Sequence, residues 1–222
     1  SADRVLGQSG YTAVYGAAGC HACGAHAVRV DSDNNIWVVD APGHVVYKMN
    51  FQGHVLMELG LKGVAGRSKN TFNLPTDVAF GSDGSVYVSD GYGNARVVKY
   101  TADGQYLLEW GSRGIGPGEF GLPHNLAVDV DDRVYVTDRD NQRVEVFDDE
   151  GGFLSEWTDI GGNSALFMTA DQHLWTGGTL RDLDGKALAR LPGGTSGHGM
   201  TESGDGEVFV AQLAGRVQKF VE

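Results

Sequence analysis

A repeat constrains this chain more than any other feature. The segments HAVRVDSDNNIWVVDAPGHVVYKMNFQGHVLMELG from His26, TDVAFGSDGSVYVSDGYGNARVVKYTADGQYLLEWG from Thr76 and HNLAVDVDDRVYVTDRDNQRVEVFDDEGGFLSEW from His124 are copies of one another, and two weaker copies start at Ser164 and His198. Each reads as a short strand, a polar turn, an alternating strand such as VYVSD or VYVTD, a loop, a third strand, a turn and a fourth strand. Such a four-stranded antiparallel unit, recurring every 40 to 50 residues or about that, cannot cover both its faces alone, so neighbouring copies must stack. The expected fold is all-β: a five-bladed β-propeller of four-stranded antiparallel blades, forming a single domain over residues 1–222. The last copy ends at Phe220 after three strands, whereas residues 3–7, DRVLG, read like the fourth strand of the other copies. The N-terminal strand is therefore expected to close the last blade and remove an exposed edge.

Composition agrees and narrows the partners. The 34 glycines suit many tight turns, and helical periodicity is almost absent. A formal net charge of −12 repels phosphate backbones and anionic membranes, so neither nucleic acid nor a membrane surface is an expected partner. Without an apolar run long enough for a transmembrane helix, and with an N-terminus SADRVLGQSG unlike a signal peptide, the chain is expected to be a soluble monomer. Cys20 and Cys23 form one C-x-x-C, open to a disulfide, a metal or plain thiols, and they leave the compartment undecided.

One phase of the repeat carries chemistry. Superposing the copies on Ile36, Val86, Val134, Leu174 and Val208 brings His26, Thr76, His124, Ser164 and His198 to one equivalent position, at the start of the strand that lines a propeller's channel. With seven histidines in the chain, three in such a ring arise by chance on the order of a few times in ten thousand. Three neutral imidazoles converging at one mouth form the ligand set of a catalytic zinc that keeps a further position open. His21, His44, His54 and His173 fall at other phases and read as ordinary surface or strand histidines. Asp40, Asp90 and Asp138, which end the second strand in three copies, read as turn residues, with a calcium role as the alternative.

The segments FNLPTDVAF, YVSDGYGNARVVKY, LPHNLAVD and VYVTDRDNQRVEVF resemble NHL repeats and, more narrowly, the catalytic core of peptidyl-α-hydroxyglycine α-amidating lyase, over His26 to Phe220. The resemblance implies a Zn2+ on His26, His124 and His198, a catalytic tyrosine base at Tyr92 in SDGYGNAR, and a substrate-engaging arginine at Arg139 in TDRDNQR. It implies a peptide or small-molecule substrate ending in an α-hydroxyglycine-like group, cleaved at a C–N bond to an amide and glyoxylate, and a secreted or periplasmic setting. A phenol can act as that base near neutrality only beside cations, which zinc and Arg139 would supply. The family has six blades and a second substrate arginine in its first blade; this chain has five repeats and no counterpart before His26. Carboxylate binding then falls to Arg139 alone, or to a loop arginine such as Arg67 or Arg113. The family's calcium site uses an Asp directly after the last His, where this chain has Gly199, and the cysteine after the family's tyrosine is Gly93 here. Two other classes fit the scaffold: a non-catalytic NHL propeller that binds proteins, and a propeller hydrolase of the lactonase type, which holds calcium on carboxylates and amides.

Overall fold

A computed structural model describes residues 24–158, 160, 165–194, 197–212 and 216–221. The strand expected from residues 3–7, the Cys20 and Cys23 pair, His21 and Ser164 lie outside the described residues. Apart from one 3-10 turn, Pro192–Gly194, every regular element among the described residues is a β-strand. The chain forms two compact units, one ending at Glu109 and the other starting at Trp110.

The first unit holds two antiparallel meanders. Blade 1 is β1 (Ala25–Val30), β2 (Ile36–Asp40), β3 (Val45–Met49) and β4 (Val55–Gly60); blade 2 is β5 (Asp77–Phe80), β6 (Val86–Asp90), β7 (Arg96–Tyr100) and β8 (Tyr106–Trp110). The second unit opens with a parallel ribbon of β9 (Ser112–Arg113) and β10 (Glu119–Phe120). Blade 3 follows as β11 (Pro123–Val128), β12 (Val134–Asp138), β13 (Arg143–Phe147) and β14 (Phe153–Trp157). Blade 4 is β15 (Leu166–Met168), β16 (Leu174–Thr176), β17 (Thr179–Arg181) and β18 (Ala187–Arg190), and blade 5 shows β19 (Gly199–Glu202), β20 (Val208–Gln212) and β21 (Arg216–Phe220). The all-β, five-bladed propeller class expected from the repeat is thus the class observed, with three strands of the last blade among the described residues.

The repeat folds the same way each time because its turns demand the same backbone. The turn after each inner strand places one residue in the left-handed region: Asn34, Gly84, Asp132, Gln172 and Gly206, all with φ between 60° and 82°. Asn and Asp tolerate that region and glycine enters it without strain. The turn between third and fourth strands uses glycine in four blades, and at Gly151 a side chain would meet the Trp110 ring at 2.7 Å. Alternation then sends one row of side chains toward the next blade. In the first unit, Trp37, Val39, Val46 and Leu59 of blade 1 pack with Phe72, Val78, Val86, Val88, Val98 and Tyr100 at blade 2. In the second, Ala127, Tyr135, Val144, Val146 and Trp157 pack against Leu166 and Leu174, and Trp175 and Leu191 pack against Met200, Val208 and Val210.

The glycine-rich segments before blades 2 and 3 are held by buried ion pairs. The Arg96 guanidinium donates to Asp90 at 2.9 Å and Glu109 at 2.5 Å, and to the carbonyls of Ser68 and Thr71 at 3.1 and 2.7 Å. Arg143 repeats the pattern on Asp138 and Glu156, and on the carbonyls of Ile115, Gly116 and Glu119. The aspartates complete each latch: Asp90 accepts from Asn73 N–H and the Asn94 amide, and Asp138 accepts from Gly121 N–H, Leu122 N–H and the Asn141 amide. Burial of these charges is tolerable because each carboxylate and guanidinium is multiply bonded.

Candidate functional site

Two of the three ring histidines sit where their strands depart from regular pairing. In blade 1 the ladder passes from Ala25 opposite Asp40 to Ala27 opposite Val39, so His26 is the extra residue of a β-bulge. In blade 3 it passes from Pro123 opposite Asp138 to Leu126 opposite Val136, and the bulge takes in His124 and Asn125. A bulge turns a side chain away from the alternation of its strand. The backbone it disrupts is bonded otherwise: Asn125 N–H donates to Thr137 Oγ1 at 2.8 Å.

Within the first unit, His26 Nδ1 lies 2.5 Å from the Thr76 carbonyl oxygen. A carbonyl can only accept, so Nδ1 carries the proton and Nε2 the lone pair. Tyr92 Oη lies 3.1 Å from that Nε2, donating to it in this tautomer, with the two rings edge-on at 5.3 Å between centroids. Tyr92 is set there by its backbone, whose N–H donates to Leu74 O at 3.3 Å, and by the Asp90 to Asn94 turn it belongs to.

Within the second unit, His124 is fully buried and its Nδ1 lies 2.7 Å from Asn125 Oδ1. An amide oxygen is also an acceptor, so here too Nε2 carries the lone pair. The His198 ring stands edge-on to the His124 ring, 4.7 Å between centroids at 86°, and its backbone N–H donates to Ala211 O at 2.8 Å. Fixing Nδ1–H on an oxygen acceptor aims Nε2, which is how metal-binding imidazoles are held.

The arginines divide. Arg139 N–H donates to Leu122 O at 2.9 Å, the counterpart in blade 3 of the Tyr92 to Leu74 bond, and its Nε donates to Asp140 at 3.2 Å with the side chain 30% exposed. Arg67 is exposed and reaches Glu109 at 3.4 Å, and Arg113 is exposed and donates to Gly121 O at 2.9 Å. Of the remaining histidines, His44 accepts from Leu74 N–H at 3.1 Å, His54 meets Asn50, and His173 pairs with Asp171 at 2.9 Å. Asp40, Asp90 and Asp138 serve their turns: Asp40 accepts from Gly43 N–H, and the other two carry the latches. Burial raises the pKa of Asp40 and of Asp90 even so. Sequence reasoning passed over Asn125, Arg29 and Asp77, and also Arg96 and Arg143. The Asp-Asn-Arg spacing in SDGYGNAR and TDRDNQR was the visible signal for the last two.

Residues 72–100 and 120–147 match the NHL repeat family. The chain is 31% identical over 212 residues to a "Probable peptidyl-alpha-hydroxyglycine alpha-amidating lyase" of Caenorhabditis elegans, covering 85% of this chain and 61% of the relative. It is 40% identical over 131 residues to "Peptidylglycine alpha-amidating monooxygenase" of Rattus norvegicus, covering 55% of this chain and 13% of that protein. The chain therefore spans under two thirds of these relatives. Among solved structures, a virginiamycin B lyase from Staphylococcus aureus aligns over 87% of this chain and 68% of its own, at 15% identity and a TM-score of 0.61, a likeness of fold.

Proposed function

We propose that this protein is a zinc-dependent carbon–nitrogen lyase of the peptidyl-α-hydroxyglycine amidating type, with the metal held by His26, His124 and His198. The observation that carries the reading is the edge-on pairing of the His124 and His198 rings, 4.7 Å between centroids, at the phase of the repeat that His26 shares. The donor set fits zinc, since three neutral nitrogens without thiolate or carboxylate leave room for a substrate oxygen. At His26 and His124 the Nδ1 bonds to oxygen acceptors present Nε2 as the ligand atom. Bound zinc would supply Lewis acidity toward a hydroxyl on the carbon that carries the scissile nitrogen.

The chain's own residues supply the rest. Tyr92 Oη, 3.1 Å from His26 Nε2, lies beside a ligand atom and is placed to take the hydroxyl proton of an α-hydroxyglycine. As that proton leaves, the C–O bond becomes a carbonyl and the C–N bond breaks, giving glyoxylate and an amide nitrogen that needs one proton. Acting as a phenolate, Tyr92 carries that proton to the amide nitrogen and so ends the cycle as it began. Arg139 offers a planar fork suited to the terminal carboxylate, in exchange for its bond to Asp140.

Metal analysis of the purified protein tests the reading. The expected result is about one zinc per chain, lost in His124→Ala; wild-type protein free of metal at neutral pH would sink it. Tyr92→Phe should keep the zinc while glyoxylate release falls by a factor on the order of a hundred or more. Unchanged turnover would remove Tyr92 from the mechanism.

A further inference from the structure

His26 has a weakness that His124 does not share. Like His124 on β11, it is a bulged residue near the start of an inner strand that is paired on one side only, here β1 to β2. Strand pairing therefore does not fix its ring, and the group that holds Nδ1, the Thr76 carbonyl, stands at the start of another sheet. The aim of His26 depends on how firmly the start of β5 is tied to β1.

Two sets of side chains tie it. Thr76 is fastened to its own blade, with its N–H donating to Ser89 O at 2.8 Å and its hydroxyl bonding Ser89 Oγ at 2.7 Å. The next residue, Asp77, is fastened to blade 1: Arg29 Nε donates to Oδ1 at 3.0 Å and a terminal nitrogen of the same guanidinium donates to Oδ2 at 2.5 Å. Arg29 lies three residues beyond His26 on the same strand. The Asp77 side chain is 0% exposed and that of Arg29 19%, and Asp77 Oδ1 also accepts from Val78 N–H at 2.9 Å. A bidentate fork of this kind restricts sliding and rotation together, which a single bond does not. Leu74, two residues before Thr76, holds the Tyr92 backbone, so the same short segment sets both His26 and Tyr92.

We propose that Arg29 and Asp77 are positioning residues for the metal site: their ion pair holds the Thr76 carbonyl on His26 Nδ1 and so keeps Nε2 as the lone-pair nitrogen, aimed for coordination. The proposal rests on the zinc reading above, but its effect on the tautomer can be measured without metal. Losing an outer partner of a ligating histidine lowers metal affinity by about 10- to 100-fold in general.

The test compares wild type, Asp77→Asn and Arg29→Lys. In metal-free protein, the imidazole 15N signals of His26 should report the Nδ1–H tautomer in wild type and a mixture of tautomers in Asp77→Asn. Zinc affinity, read by competition with a chromogenic chelator, should fall about tenfold or more in that variant. The absorption bands of the cobalt-substituted form should shift with it. Zinc affinity within about twofold of wild type together with an unchanged tautomer would overturn the proposal, since a merely structural pair would lower thermal stability and leave both readouts alone. Should Asp77→Asn fail to fold, Arg29→Lys keeps the charge and loses the fork, and unaltered affinity and tautomer in it overturn the proposal equally. Wild type that takes up no metal yet shows the tautomer change on substitution would overturn the zinc reading and uphold the tether.

Discussion

Blades 2 and 3 share an anchor and differ in what it presents. In both, an aspartate ending the second strand and an arginine opening the third clamp a glycine-rich approach segment, and an asparagine between them bridges the aspartate to a loop carbonyl: Asn94 to Gly66 O and Asn141 to Gly114 O, each at 2.9 Å. In both, the residue within that turn donates its backbone N–H to a leucine two residues ahead of the ring position, Tyr92 to Leu74 and Arg139 to Leu122. One frame therefore offers a phenol and a backbone carbonyl in blade 2, and a cation and an imidazole in blade 3. Chemistry differs between the copies because the side chains at the turn and at the ring position differ, and because the bulge that turns His124 has no counterpart in the regular β5–β6 ladder.

The anchors are not equal in charge. Arg96 compensates the fully buried Asp90 and the partly exposed Glu109, whereas Arg143 faces two fully buried carboxylates, Asp138 and Glu145, besides Glu156. Removing one partner of a buried ion pair costs about 3–5 kcal/mol. Arg96→Met and Arg143→Met should each lose on that order in urea unfolding, with Arg143→Met the more damaged at pH 8. Equal losses at pH 8 would show that Glu145 adds nothing to the second anchor.

This contrast also marks what the sequence could disclose. Strand order and blade count were legible because period, alternation and turn residues are local and repeat five times. The positions of Tyr92 and Arg139 within their turns were legible through motif resemblance. The anchors were not, since the Asp-Asn-Arg spacing gives no sign of the carbonyls of Ser68, Thr71, Ile115 and Glu119 that close over Arg96 and Arg143. Arg29 and Asp77 were hidden for a similar reason. Their pairing crosses 48 residues between two strands that share no ladder, and neither periodicity nor spacing encodes it. The bulges at His26 and His124 were likewise silent, because a bulge is one residue of misregister between strands whose pairing the sequence leaves implicit.

Glu145 allows a sharper cut at the same difference. It occupies in β13 the place that Val98 holds in β7, two residues after the anchoring arginine. Burial raises its pKa to about 7, against the pull of the Gly118 N–H bond and of Arg143, with Asp138 and Glu156 raising it further. Its Oε2 is buried without a hydrogen-bond partner among the described residues. Because the folded-state value lies above the unfolded one, the native chain binds the proton more tightly, and stability falls as pH rises from about 4.5 through about 7. Glu145→Gln removes the titration. Its stability relative to wild type should rise by roughly 1–3 kcal/mol between pH 4 and pH 8. Parallel stability–pH curves would mean that the carboxylate is solvated in the native state and that the two anchors are alike after all.

The smallest effect on stability is expected where the arginines leave the anchors. Arg139 and Arg67 make exposed or half-exposed pairs, with Asp140 at 3.2 Å and Glu109 at 3.4 Å, and pairs of that kind are worth no more than about 1 kcal/mol. Arg139→Ala and Arg67→Ala should both unfold within about that margin of wild type, which makes turnover a clean reading of function. If the turn of blade 3 presents a substrate cation as that of blade 2 presents a phenol, Arg139→Ala should raise KM for a carboxylate-bearing α-hydroxyglycine by tenfold or more, equivalent to about 1.4 kcal/mol. An amide-capped substrate, lacking the carboxylate, should not distinguish the variant from wild type. Arg67→Ala should leave both substrates unaffected. The reverse pattern would move the carboxylate to the segment before blade 2, and the parallel between Tyr92 and Arg139 would then be one of backbone alone.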